Sequence, residues 1–152
     1  STTVNIIDRG VLKKSYSFSF ASNQLTYAVS SALGLSYSEA EELKNKQGLI
    51  SLNAGLTKTL YLLIDPLLLQ IRKISGDFYQ EEGKEIEEIY LTGGTANLPG
   101  LKGYFEETFK KKVEIPNCFS DLLYPPILEE EIKKIGPSFS VAVGLSLGGL
   151  EV

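Results

Sequence analysis

The chain has 152 residues, 43% hydrophobic and 22% charged, with a formal net charge of −4. That suits a globular chain with a real core and room for two lobes, and it disfavours a nucleic-acid role, since the longest basic run is Lys110-Lys111-Lys112. There is no His, which excludes a Ser/His/Asp triad, a Cys/His pair and a conventional zinc site. The lone Cys118 rules out an internal disulfide framework and suits a reducing cytoplasm. No stretch reads as a signal peptide, and no apolar run approaches the ~20 residues that span a bilayer. The segment from Phe139 to Leu150 is too short and too rich in Gly and Ser. The chain opens on Ser1 without Met, as expected of a processed or excised piece.

In chain order, the β-branched run Thr2 to Ile7 predicts a strand. Asp8-Arg9-Gly10 predicts a three-residue hairpin loop, and Val11 to Phe20 the returning strand. On that strand Leu12, Tyr16, Phe18 and Phe20 share a face, and Lys14 alone breaks the alternation. A helix is predicted over 22–33, capped by Ser22 or Asn23, with Leu25, Val29, Ala32 and Leu33 on one side and Gly34 at its end. Ser36-Tyr37-Ser38-Glu39 is a capping box that opens a helix to about Gln47, with Gly48 after it. From Leu56 to about Tyr79 the apolar spacing is helical, and Asp65-Pro66 either restarts or kinks that helix. A short strand over Glu88 to Leu91 leads into the Gly-rich segment Thr92 to Gly100. A helix with Leu101, Tyr104, Phe105 and Thr108 on one side follows. Val113 to Ile115 predicts a strand and Pro116 to Pro126 a long connection. Gly136-Pro137 starts the last helix, dense in small residues. This order predicts an α/β fold with an inserted helical part.

The most specific segment is Leu91-Thr92-Gly93-Gly94-Thr95-Ala96-Asn97-Leu98-Pro99-Gly100. Paired glycines let backbone approach a flat or phosphorylated ligand, and a helix start adds free N–H groups and a positive dipole end. A tight strand-to-helix turn with no ligand would explain the same residues. Glu41 and Lys44 share a helix face; taken alone they read as a solvated ion pair worth about 0.5 kcal/mol or less. Ser138, Ala142, Ser146 and Gly149 form a stripe suited to close helix packing. Lys110 to Lys112 reads as a solvated helix end, and Cys118 as a small core residue or a bystander.

The run Leu91 to Gly100 resembles the adenosine motif of the actin superfamily, where two glycines lie against the nucleotide and a Pro follows. Three more segments fall in that superfamily's order. Ser1-Thr2-Thr3 before a hairpin resembles the tail of its second phosphate motif. Ala40-Glu41-Glu42-Leu43-Lys44 with Gly48 resembles the helix whose acidic and basic side chains meet the adenosine. Gly136-Pro137-Ser138-Phe139 through Leu147 resembles the final helix. Within the superfamily, the segments 23–34, 38–44, 91–101 and 136–145 are similar to the PilM family, which assembles type IV pili; that family is itself similar to the division protein FtsA, so an FtsA-like division role is the alternative.

The resemblance implies the C-terminal half of such a protein: an α/β, actin-like ATPase (ribonuclease H-like) lobe. Its nucleotide-binding subdomain is expected at 1–35 and 84–152, with a smaller, mainly helical insertion at 36–83. It implies ATP and Mg²⁺ as cofactors, faced by Thr2, Thr3, Glu41, Lys44, Gly93, Gly94, Thr95 and Asn97. It assigns no catalytic or metal-ligating residue. The implied partner is the N-terminal tail of a PilN-like membrane protein, seated on the absent N-terminal half, with self-association as a further interaction. The implied location is the cytoplasm, at the inner face of the membrane. The Asp-x-Gly expected before Ser1 and the first phosphate loop are both absent, so this chain alone is expected to lack meaningful ATPase activity. A sugar-kinase-like enzyme would need an acidic base facing a sugar pocket, and neither Asp65 nor Asp77 stands in a convincing context for one. A pure interaction module that lost nucleotide binding is the other rival.

Overall fold

The computed structural model describes residues 1–120 and 123–148; Gly149 of the small-residue stripe, and part of the 116–126 connection, lie outside them. The chain divides into two compact units, Ser1–Lys44 with Ser51–Glu85, and Asn45–Ile50 with Ile86–Val152.

The first unit opens with strands β1 (Thr2–Asp8) and β2 (Val11–Phe18), paired antiparallel. Asp8 pairs with Val11, and both Arg9 and Gly10 have positive φ. The loop is therefore two residues long rather than the three expected, in the backbone hand whose twist matches that of the strands. Ile6 faces Lys14 while Ile7 faces Leu12, so Lys13 is the extra residue of a bulge. The bulge resets the alternation. Lys14, Tyr16 and Phe18 share the half-buried face and Leu12 is exposed, so Lys14 does not break the pattern but belongs to it. Its ammonium is matched by Glu81.

Helix α1 (Ser22–Leu33) starts after Ala21, whose N–H donates to the Gln24 side chain; the Ser22 hydroxyl is used elsewhere and is not the cap. Leu25, Thr26 and Val29 are its buried residues, and Ala32 is exposed. The capping box of α2 (Tyr37–Gln47) forms as predicted: the Ser36 N–H donates to Glu39 at 2.8 Å and the Glu39 N–H to the Ser36 hydroxyl at 3.3 Å.

Helix α3 (Ala54–Glu82) is one continuous helix, capped by the Asn53 side chain, which accepts from the N–H groups of Gly55 and Leu56. Pro66 lies inside it on the exposed side, where the carbonyl that loses its helical donor can face water. Among the described residues α3 is the one helix long and apolar enough to cross a membrane by length and composition. Its stripe Leu56, Leu60, Ile64, Leu67, Leu68, Ile74 and Phe78 is buried, and it packs on α1 as the core helix of this unit. Lys84 reaches Asp8 at 2.6 Å, as Lys14 reaches Glu81, so the hairpin is tied to the far end of α3. The packing thus joins the hairpin to α3 within this unit.

In the second unit, β3 (Glu88–Tyr90) and β4 (Lys112–Glu114) pair in parallel, with α4 (Leu101–Phe109) as the crossover. Lys112 is therefore a strand residue, bonded to Glu114 at 2.7 Å and Glu88 at 3.2 Å, and not part of a solvated helix end. Leu98, Leu101, Phe105 and Val113 form the core, with Leu49 from the short turn Gly48–Ile50. At Gly48 (φ +49) an added Cβ would lie 2.4 Å from the Pro99 carbonyl oxygen, so backbone rests directly on backbone there. The final helix, α5 (Glu129–Gly148), begins seven residues earlier than expected and runs on through Pro137.

Candidate functional site

The expected site residues fall in both units. In the first, Lys44 is a polar side chain buried to 2% exposure, so the pair it makes with Glu41 is not the solvated one that spacing alone suggested. Its ammonium has three protons and three close acceptors: Glu41 Oε2 at 2.7 Å, Thr26 Oγ1 at 2.8 Å and Ser22 Oγ at 2.9 Å. Thr26 also bonds to Glu41 Oε2. An ammonium this buried is tolerable only because every proton is taken and one acceptor is charged. Glu41 is the most exposed member of the pair, at 36%. Elsewhere in this unit the Thr2 hydroxyl donates to the Phe20 carbonyl at 2.9 Å, and Thr3 is exposed on β1.

In the second unit the Gly-rich segment is a 3₁₀ turn, Gly94–Asn97, that follows β3 and precedes α4. Gly93 has φ 87 and ψ 166, a conformation open only to glycine. Nothing lies within 4 Å of where its Cβ would point, so the loop has an open flank there. A Cβ on Gly94 would come 3.3 Å from the Ser138 hydroxyl, a contact that one rotation relieves. Thr95 is half-buried, and its carbonyl accepts from the Leu98 N–H.

The loop is tied to α5. The Gly93 N–H donates to the Pro137 carbonyl at 2.6 Å, and the Asn97 amide donates to the Lys134 carbonyl at 2.7 Å. Cys118, which the sequence offers as a small core residue or a bystander, is half-buried and donates its S–H to the Gly136 carbonyl at 3.0 Å. These three donors meet the turn of α5 around Pro137, whose ring removes one helical N–H and disturbs the carbonyl ladder. The helix passes through Gly136-Pro137 instead of starting there, and these three donors fasten that stretch of it. Beyond it, Ser138, Ala142 and Ser146 are exposed, as are Val141 and Leu145.

Structure thus brings Glu41 and Lys44 together in one unit, and Gly93, Gly94, Thr95 and Asn97 in the other. Ser22 and Thr26 escaped the sequence reading. Thr26 carried a signal, being a polar residue between Leu25 and Val29 on the apolar face of α1, which a buried partner would explain. Among the described residues no group of three or more His, Cys, Asp and Glu side chains is arranged to hold a metal ion.

The mixed α/β architecture is that of the actin-like fold. Over 99% of its length the chain superposes on a protein solved as the "PilM-PilN type IV pilus biogenesis complex", with a TM-score of 0.82 and 23% identity. Over 95% it superposes on the ethanolamine utilization protein EutJ from Carboxydothermus hydrogenoformans, with a TM-score of 0.65 and 17% identity. The chain spans less than half of either, 43% and 44% respectively. A comparison with curated protein sequences returned no match. Residues 1–150 match the family described as type IV pilus assembly protein PilM, and the chain belongs to that family.

Proposed function

We propose that this chain is the C-terminal, nucleotide-binding part of a PilM-type protein, with an inserted, mainly helical segment at 36–83. The protein binds ATP with Mg²⁺ and scaffolds type IV pilus assembly from the cytoplasmic side of the inner membrane. The partner is the tail of a PilN-like membrane protein, in keeping with the complex in which a relative was solved. One observation carries the nucleotide reading: Gly93 holds a glycine-only conformation with open space on its Cβ side, in a loop fixed by its own hydrogen bond to α5. Such a loop presents bare backbone to a ligand without having to rearrange. Gly94 and Thr95 extend that surface, Glu41 and Lys44 serve the adenosine, and Thr2 and Thr3 serve the phosphates. The magnesium ion comes with the nucleotide, as is usual for a cation that keeps phosphate and water ligands.

A second reading, a nucleotide-free interaction module, has its own observations. The ammonium of Lys44 and the amide of Asn97 already have partners inside the protein. Isothermal titration of MgATP and MgADP into the full-length protein, as wild type and as Gly94→Val, separates the two. Saturable binding that the valine abolishes, with melting temperature kept, supports the nucleotide reading. A folded wild type that takes up no heat with either nucleotide leaves the interaction module.

A further inference from the structure

The side chains that hold Glu41 and Lys44 are themselves part of the proposed site. Lys44 spends its three protons on Glu41, Thr26 and Ser22, at 2.7, 2.8 and 2.9 Å, and has none left for a ligand in this arrangement. Glu41 is pinned through Oε2 by both Lys44 and Thr26, yet is 36% exposed. The pair therefore sits on α2 but takes its position from α1, through two hydroxyls one helical turn apart, at Ser22 and Thr26.

From this geometry we infer that Thr26, assisted by Ser22, is a positioning residue for adenosine recognition: it fixes the Glu41 carboxylate and, with Ser22, holds the Lys44 ammonium against it. This rests on the nucleotide-binding reading above. Replacing Thr26 with Val keeps the β-branched shape, so packing is retained while one acceptor of Lys44 and one donor to Glu41 are lost. The lysine then has two close acceptors for three protons, and the carboxylate, partly in water, keeps Lys44 but loses the hydroxyl that fixes its Oε2 from α1. Thr26→Ser keeps the hydroxyl and should keep the arrangement.

The test titrates MgATP, and separately inorganic tripolyphosphate with Mg²⁺, into the full-length wild type, Thr26→Val, Thr26→Ser and Ser22→Ala. Thr26→Val is expected to bind MgATP about tenfold more weakly, Ser22→Ala about threefold, and Thr26→Ser nearly as the wild type does. Tripolyphosphate, which has no adenosine, should bind all four alike. A Thr26→Val protein that binds MgATP as tightly as the wild type overturns the inference and leaves the nucleotide reading intact. So does an equal loss for both probes, the mark of a merely structural role. A wild type that binds no MgATP fails the nucleotide reading, and the inference falls with it. Should Thr26→Val not fold, Ser22→Ala decides by the same criteria. Acetylation with acetic anhydride, read by mass spectrometry, checks the geometry without nucleotide: Lys44 should be protected in the wild type and labelled faster in Ser22→Ala. A wild-type Lys44 labelled as fast as exposed Lys46 overturns the inference.

Discussion

The two units hold their candidate nucleotide-facing residues by opposite means. Around Lys44 the geometry is made by side chains, with one ammonium shared among a carboxylate and two hydroxyls. Around Gly93 it is made mostly by backbone: a conformation only glycine adopts, an N–H given to the Pro137 carbonyl, and one side-chain amide on the next turn of α5. A side-chain network is sensitive to chemistry and tolerant of backbone change. A backbone clasp is sensitive to φ and indifferent to much of the chemistry around it. The same function, fixing a surface for a ligand, thus carries two different mutational signatures.

The largest expected effect tests the first signature. Glu41→Ala should cost about 3 kcal/mol in urea unfolding, because it leaves a buried ammonium with two neutral acceptors. Glu41→Gln should cost clearly less, since it keeps an acceptor. If the two cost the same, the charge of Glu41 is not what makes Lys44 tolerable. Next comes the second signature. Gly93→Ala should cost about 2 kcal/mol by forcing a side chain into a glycine-only region, although nothing lies within 4 Å of the new methyl. Gly94→Ala should cost about 0.5 kcal/mol or less, since the Ser138 hydroxyl can turn away. Equal melting temperatures for these two variants would break the claim that conformation, and not space, demands the first glycine.

A smaller effect belongs to Asn97→Ala, about 1 kcal/mol for the hydrogen bond to the Lys134 carbonyl. Hydrogen exchange should show it as faster exchange at the Gly93 N–H, whose acceptor lies on the same helix. Unchanged exchange there would mean that the two bonds to α5 are independent.

The smallest effect sharpens the comparison by staying outside both clasps. The Lys84 ammonium holds Asp8 below its usual range, and the Ser36 hydroxyl and N–H do the same for Glu39. Both carboxyl groups have folded values below their unfolded ones. Their contribution is therefore complete above the ordinary carboxylate range and lost as pH falls through the lowered values, below about pH 4. Glu39 is exposed and Asp8 half-buried, both at the surface of the first unit, so a pH titration of stability should show a shallow acid decline that Lys84→Met reduces.

Legibility in the sequence followed the range of the interaction that mattered. The capping box at Ser36 and the apolar stripe of α3 involve residues three or four apart, and both stood in the sequence as they stand in the structure. The hairpin was legible but the alternation of its second strand was not, because Lys13 is a bulge that only cross-strand register reveals. The start of α5 was misplaced because Gly136-Pro137 looks like a boundary. The helix instead runs through them, and that stretch is fastened by donors from residues 93, 97 and 118, distant along the chain.

The residues by themselves determined the order of strands and helices, the glycine pair, the spacing of Glu41 and Lys44, and a likeness to the PilM family. They do so because local propensity, capping and motif spacing are written in neighbouring positions. Only the tertiary structure decided that Lys44 is buried and fully bonded, that Thr26 and Ser22 hold it, and that the Gly93 loop is fastened to α5. Burial and hydrogen-bond partnership depend on what distant segments bring to the same point, and no spacing along the chain encodes that.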